Sequence, residues 1–83
     1  MVTVFCWIKV PSQRSGGVVD KLKEIKEVVE AAAVYGHYDV IVKIKAPNME
    51  VIDELIMDKI QSLESVESTE TYVVVGSMHW KRK

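Results

Sequence analysis

Residues 2–10 (VTVFCWIKV) read as a strand with two apolar faces, and this constrains the fold more than any other feature of the chain. Successive side chains on a strand point to opposite sides of a sheet. Val2, Val4, Cys6, Ile8 and Val10 share one side, and Phe5 and Trp7 lie on the other. Such a strand is stable only where both sides are covered. The chain has 83 residues, enough for one domain, and a domain of that size buries only about 60–65% of the surface its unfolded form exposes. Disulfides, metals or partners usually supply the missing stability. Cys6 is the only cysteine, so no disulfide forms within the chain. It reads as a small buried hydrophobe and favours a reducing compartment. His37 and His79 have no second Cys or His at ligand spacing, so neither a metal nor a cofactor is expected. A partner is the route that remains.

The rest of the chain supplies too little to cover both faces. Residues 11–17 (PSQRSGG) are a turn-rich loop. Residues 17–26 place Val18, Leu22 and Ile25 on one helical face. Residues 28–35 (VVEAAAVY) are apolar without a break. Their alanines suit a helix, but the closing Gly36 and the strand that follows at once favour a strand. Residues 38–46 (YDVIVKIKA) alternate, with Tyr38, Val40, Val42 and Ile44 opposite Asp39, Ile41, Lys43 and Lys45. Pro47 ends this strand, and Asn48 is a good helix N-cap ahead of Met49, Ile52, Ile56, Ile60 and Leu63. Residues 65–75 (SVESTETYVVV) form a last strand, with Thr69, Thr71, Val73 and Val75 opposite Ser68, Glu70, Tyr72 and Val74. The order is βαββαβ. It predicts an α+β, ferredoxin-like sandwich: a four-stranded antiparallel sheet with both helices on one face.

Two short helices cover one face, so the other keeps an apolar patch that marks an interface. Burying one Trp-sized and several Val-sized side chains there contributes roughly 10 kcal/mol before the costs of association. That face carries Phe5 or Val4 and Trp7 or Cys6, the pattern leaving both choices open; Phe5 and Trp7 are taken as the expected anchors of a sheet-to-sheet homodimer. A sheet closed instead by the basic tail, residues 77–83, with its Trp80, is the alternative, and seven residues cover little. The net charge of −1 does not suggest general attraction to nucleic acid or membrane. No secretory leader or bilayer-spanning run is visible, which points to the cytoplasm. No nucleophile elbow, Cys–His pair or phosphate loop is present, so no catalytic residue is assigned. Glu64, Glu67 and Glu70 read as a solvated edge.

The segment 35–42 (YGHYDVIV) is the most distinctive. Gly36 permits the positive φ of a tight turn, and Asp39 interrupts a strand that disfavours it. Asp39 either accepts hydrogen bonds from turn amides or binds a polar ligand.

YGHYDVIVKIKA resembles the hairpin of the Lrp/AsnC effector domain, also called the RAM domain. SVESTETYVVV is similar to that family's closing strand, with Thr69 and Thr71 matching its two threonines and Ser65 standing where a Gly is usual. The resemblance covers nearly all of residues 2–75 and assigns residues 1–76 to one ligand-binding domain, followed by the basic tail. It implies sheet-to-sheet dimers paired as a dimeric α/β-barrel, which build octamers or decamers. It also implies amino-acid effectors bound between dimers, with contacts falling on Gly36, His37, Tyr38, Asp39, Thr69 and Thr71. Full-length members carry a helix-turn-helix ahead of this domain. The sequence begins at the first strand, so a stand-alone sensor is expected. It is not expected to bind DNA directly, and it has full-length Lrp-like regulators as possible partners. Two further readings remain: a small enzyme built on the dimeric barrel, and a purely structural oligomerisation partner. ACT domains share the topology but pair mostly side by side.

Overall fold

The computed structural model describes residues 1–80 and 82. Six elements carry the fold: β1 (Val2–Lys9), α1 (Ser15–Leu22), β2 (Val28–Ala33), β3 (Val40–Ala46), α2 (Met49–Leu55) and β4 (Ser68–Val73). A π-helical segment, Ile56–Ile60, extends α2. The strands make one sheet in the order β2-β3-β1-β4, and every neighbouring pair is antiparallel. This is the ferredoxin-like arrangement expected from the βαββαβ order.

Alternation along β1 and β3 sorts the two faces as expected. Val4, Cys6 and Ile8 are fully buried beside Val40, Val42 and Ile44. Leu22 of α1, Ile52 of α2 and Ile60 of the π segment close over them. The helices therefore cover one face only, and the core lies between them and the central strands β1 and β3.

Asn48 caps α2 as expected: its side chain accepts from the Val51 N–H at 3.0 Å. The π segment has a packing reason. Ile52, Ile56 and Ile60 are four residues apart, and at 3.6 residues per turn such positions drift by about 40° per step. One wider turn, closed by the Gln61 N–H donating to the Ile56 carbonyl at 2.8 Å, offsets the drift. Ile56 and Ile60 both stay in the core.

Several boundaries differ from the sequence expectation. The first helix runs Ser15–Leu22, not 17–26. Val18, Leu22 and Ile25 are all buried, so the apolar stripe is real. The chain leaves the helix after Leu22 through tight turns, Glu24 to Lys21 and Ile25 to Leu22, which deliver Val28 to the sheet. The second strand ends at Ala33, and a register shift between Val28 and Glu30 marks it as an irregular edge. The third strand begins at Val40, not at Tyr38. The last spans Ser68–Val73, because Val66 turns back on Leu63. Among the described residues no helix is long and apolar enough to cross a membrane.

Candidate functional site

The face away from the helices is open. Cross-strand register sets two rows of side chains on it: Glu30, Lys43, Phe5 and Tyr72, then Ala32, Ile41, Trp7 and Glu70. Four of these, Phe5, Trp7, Ile41 and Tyr72, line a groove of about 740 Å³ together with residues 34–38 of the hairpin. Trp80 is 72% exposed, with the Arg82 guanidinium 4.9 Å from its ring centre. The described part of the tail therefore does not fold over this face. Lys81 and Lys83, the rest of the expected basic tail, lie outside the described residues.

Alternation had placed Tyr38 on the same side as Val40. The structure puts it on the open face, with its ring 6.2 Å from that of Trp7. The reason is local. Residues 34–39 form a bend around Gly36, whose φ is +147°, and strand parity holds only from Val40 onward. Tyr38 and Tyr72 both donate their hydroxyls to the Glu70 carboxylate. These bonds hold the Glu70 carboxyl below its ordinary value and, chiefly through the same bonds, push both phenols above theirs.

Asp39 turns the other way. Its Oδ2 accepts from the Val10 N–H at 2.9 Å, which ties the hairpin to the end of β1. The Asp39 N–H donates to the Ile8 carbonyl and its own carbonyl accepts from Val34. The Lys9 ammonium adds a bond to the His37 carbonyl at 3.0 Å. The loop is thus held at both ends by backbone contacts, although its tip is exposed at Tyr35. Asp39 also lines a smaller hollow of about 360 Å³ with Ser15, Ala33, Val34, Tyr35 and Gly36. Ser15 is the first residue of α1, whose leading amides form a positive end.

Thr69 and Thr71 share a strand face, as expected, but it is the helix-covered one. Thr69 accepts from Gln61 at 3.0 Å, and Thr71 donates to the Cys6 sulfur at 3.7 Å. Burial is the main effect on that thiol and pushes it up. β4 lies beyond β1 from β3, so within one chain the threonines stand two strands from the hairpin. The hairpin residues Gly36, His37 and Tyr38 are brought together with Phe5 and Trp7; Asp39, Thr69 and Thr71 are not part of that group.

The grouping of Tyr38, Glu70 and Tyr72 was missed by sequence reasoning, which read Glu70 as part of a solvated edge. The signal was present in the period of β4, which sets Glu70 and Tyr72 opposite the threonines. Sheet order was needed to show that this side is the open one and that Trp7 is the neighbour. Among the described residues no cluster of His, Cys, Asp and Glu is arranged to hold a metal.

The model of the Lrp/AsnC ligand binding domain matches residues 3–80. The HTH-type transcriptional regulator FL11 of Pyrococcus furiosus is 35% identical over 74 residues, covering 89% of this chain and 48% of that protein. The regulatory protein AsnC of Escherichia coli K12 is 33% identical over 55 residues, covering 66% of this chain and 36% of that protein. The chain therefore spans between about a third and a half of these curated relatives. Among solved structures, TTHA0845 from Thermus thermophilus superposes with a TM-score of 0.88 at 29% identity, covering 99% of this chain and 100% of that one. By these matches the chain belongs to the Lrp/AsnC ligand-binding domain family.

Proposed function

We propose that this domain senses a free amino acid, assembles through its open sheet face, and modulates Lrp-like transcription regulators by joining their oligomers. The observation that carries the sensing role is the hollow beside the hairpin. Asp39 spends Oδ2 on the Val10 amide, while Oδ1 has no hydrogen-bond partner among the described residues. A free amino acid carries an ammonium and a carboxylate. Oδ1 suits the ammonium, and the Ser15 hydroxyl with the leading amides of α1 suits the carboxylate. Thr69 and Thr71 contribute to such a site only from a neighbouring protomer, in keeping with ligands held between dimers. A transcriptional regulator from Neisseria meningitidis solved as a complex with L-Met shares this fold, with a TM-score of 0.80 at 13% identity.

The pairing role is supported by the open face itself. Phe5 and Trp7 lie at its centre with Ile41 and Tyr72 beside them. An enzyme on this face is the weaker reading. The groove on this face is lined chiefly by apolar and aromatic side chains, Phe5, Trp7, Val34 and Ile41 among them.

Thermal unfolding measured with each of the twenty amino acids at millimolar concentration tests the sensing role. A ligand at a hundredfold excess over its Kd stabilises the folded state by about 2.7 kcal/mol, so at least one amino acid raises the Tm by several degrees. No shift with any of the twenty contradicts the sensing role.

A further inference from the structure

Resting on the reading that the open face pairs with a copy of itself, we propose that Lys43 of each protomer places its ammonium on Glu70 of the other. The two residues are complementary and unmatched within the chain. Lys43 is only 9% exposed, and its ammonium lies 5.7 Å from the centre of the Phe5 ring. Glu30 is its cross-strand neighbour, yet the one ion pair among the described residues joins Lys23 and Asp20. Lys43 is the one charged side chain in the buried class among the described residues, and no carboxylate among them pairs with it, so an anion from outside the chain has a place beside it.

Glu70 is exposed and offers the converse charge. Its carboxylate receives two neutral hydroxyls, from Tyr38 and Tyr72, and no cation. A carboxylate has about four lone-pair sites, so two remain. Tyr38 and Tyr72 set aromatic rings beside it, and such rings with an acid among them attract an ammonium ion.

The two groups do not form an ion pair inside one chain. Lys43 is on β3 and Glu70 on β4, on either side of β1. They are therefore separated by two strand spacings, about 9.6 Å, and by a step along the strands. A two-fold axis solves this for both at once. When residue i meets residue j of the copy, j meets i, so a single rotation makes two identical pairs. Phe5 and Trp7 lie between the two corners, where the axis would pass. The occupant that fits this face is a second copy of this chain, because it carries its own counter-charge in the matching place.

Sedimentation velocity of charge-reversed chains tests the pairing. Lys43→Glu and Glu70→Lys should each weaken self-association about 10- to 100-fold, since each sets like charges together twice. Mixed in equal amounts they should form a heterodimer as tight as the wild-type dimer, because both contacts are then attractive. The double variant Lys43→Glu/Glu70→Lys should self-associate like wild type, and co-expression serves where a single variant does not fold alone. If neither the mixture nor the double variant recovers association while Trp7→Glu still disrupts the wild-type assembly, the ion pair is wrong and the sheet-face reading survives. If Trp7→Glu leaves the wild-type mass unchanged, the sheet-face reading fails and the pairing falls with it.

Discussion

The Asp39 carboxylate has a structural bond, and the proposed sensing role asks a second task of it that is separable from the first. The bond to the Val10 amide is structural, and a charged acceptor on a partly buried amide contributes about 1.5–3 kcal/mol. Asp39→Ala removes it and should lower the urea-unfolding free energy by that order. Asp39→Asn keeps an oxygen acceptor and removes the charge. It should leave stability within about 1 kcal/mol of wild type and still lose any amino-acid-induced rise in Tm. If the Asn variant keeps the full ligand response, the ammonium does not bind there. Glu70 makes a second residue-scale prediction, about pH. Its carboxyl lies below the ordinary 4.5 when folded. Its contribution to stability is therefore fully present above that value and is lost as pH falls through the lower folded value. The gap in urea midpoint between wild type and Glu70→Gln should be constant near neutrality and close in strong acid. Tyr38 and Tyr72 run the opposite way. Their raised values preserve stability up to the ordinary 10.0 and lose it as pH rises beyond.

At the scale of elements, most of the fold was legible because its signals are local. The alternation in β1 and β3 sorted the side chains into two faces, which of them is the core being decided by where the helices lie, and Asn48 marked the start of α2. Boundaries were less legible where turns compete with periodicity. Residues 23–26 keep a helical apolar stripe, yet tight turns carry Ile25 into the core without a helix. Tyr38 was assigned to the wrong side because parity was extended through a bend. The Tyr38, Glu70 and Tyr72 cluster was out of reach because it depends on which strands become neighbours. Two substitutions test this level. Asn48→Ala should cost about 1 kcal/mol by removing the bond to Val51. Gly17 lies in α1 with no atom near the position a methyl group would take. Gly17→Ala should therefore stabilise the protein by about 0.5–1 kcal/mol in urea unfolding, by limiting the unfolded chain and favouring the helix.

For the whole molecule, the first strand sets the terms. One side of β1 builds a core with two short helices, and the other presents Phe5 and Trp7 on a face that the described part of the tail does not cover. The proposed function gives this face to assembly, and it gives the small ligand the hollow on the other side of the same loop. Val34, Tyr35 and Gly36 border both the groove and the hollow, so on the proposed function the two roles share one loop. Sedimentation equilibrium of the chain at micromolar concentration, with and without Trp7→Glu, tests this most directly. The account predicts an even multiple of the 9.4 kDa chain mass for wild type and 9.4 kDa for the variant. A wild-type chain that sediments at 9.4 kDa would contradict it.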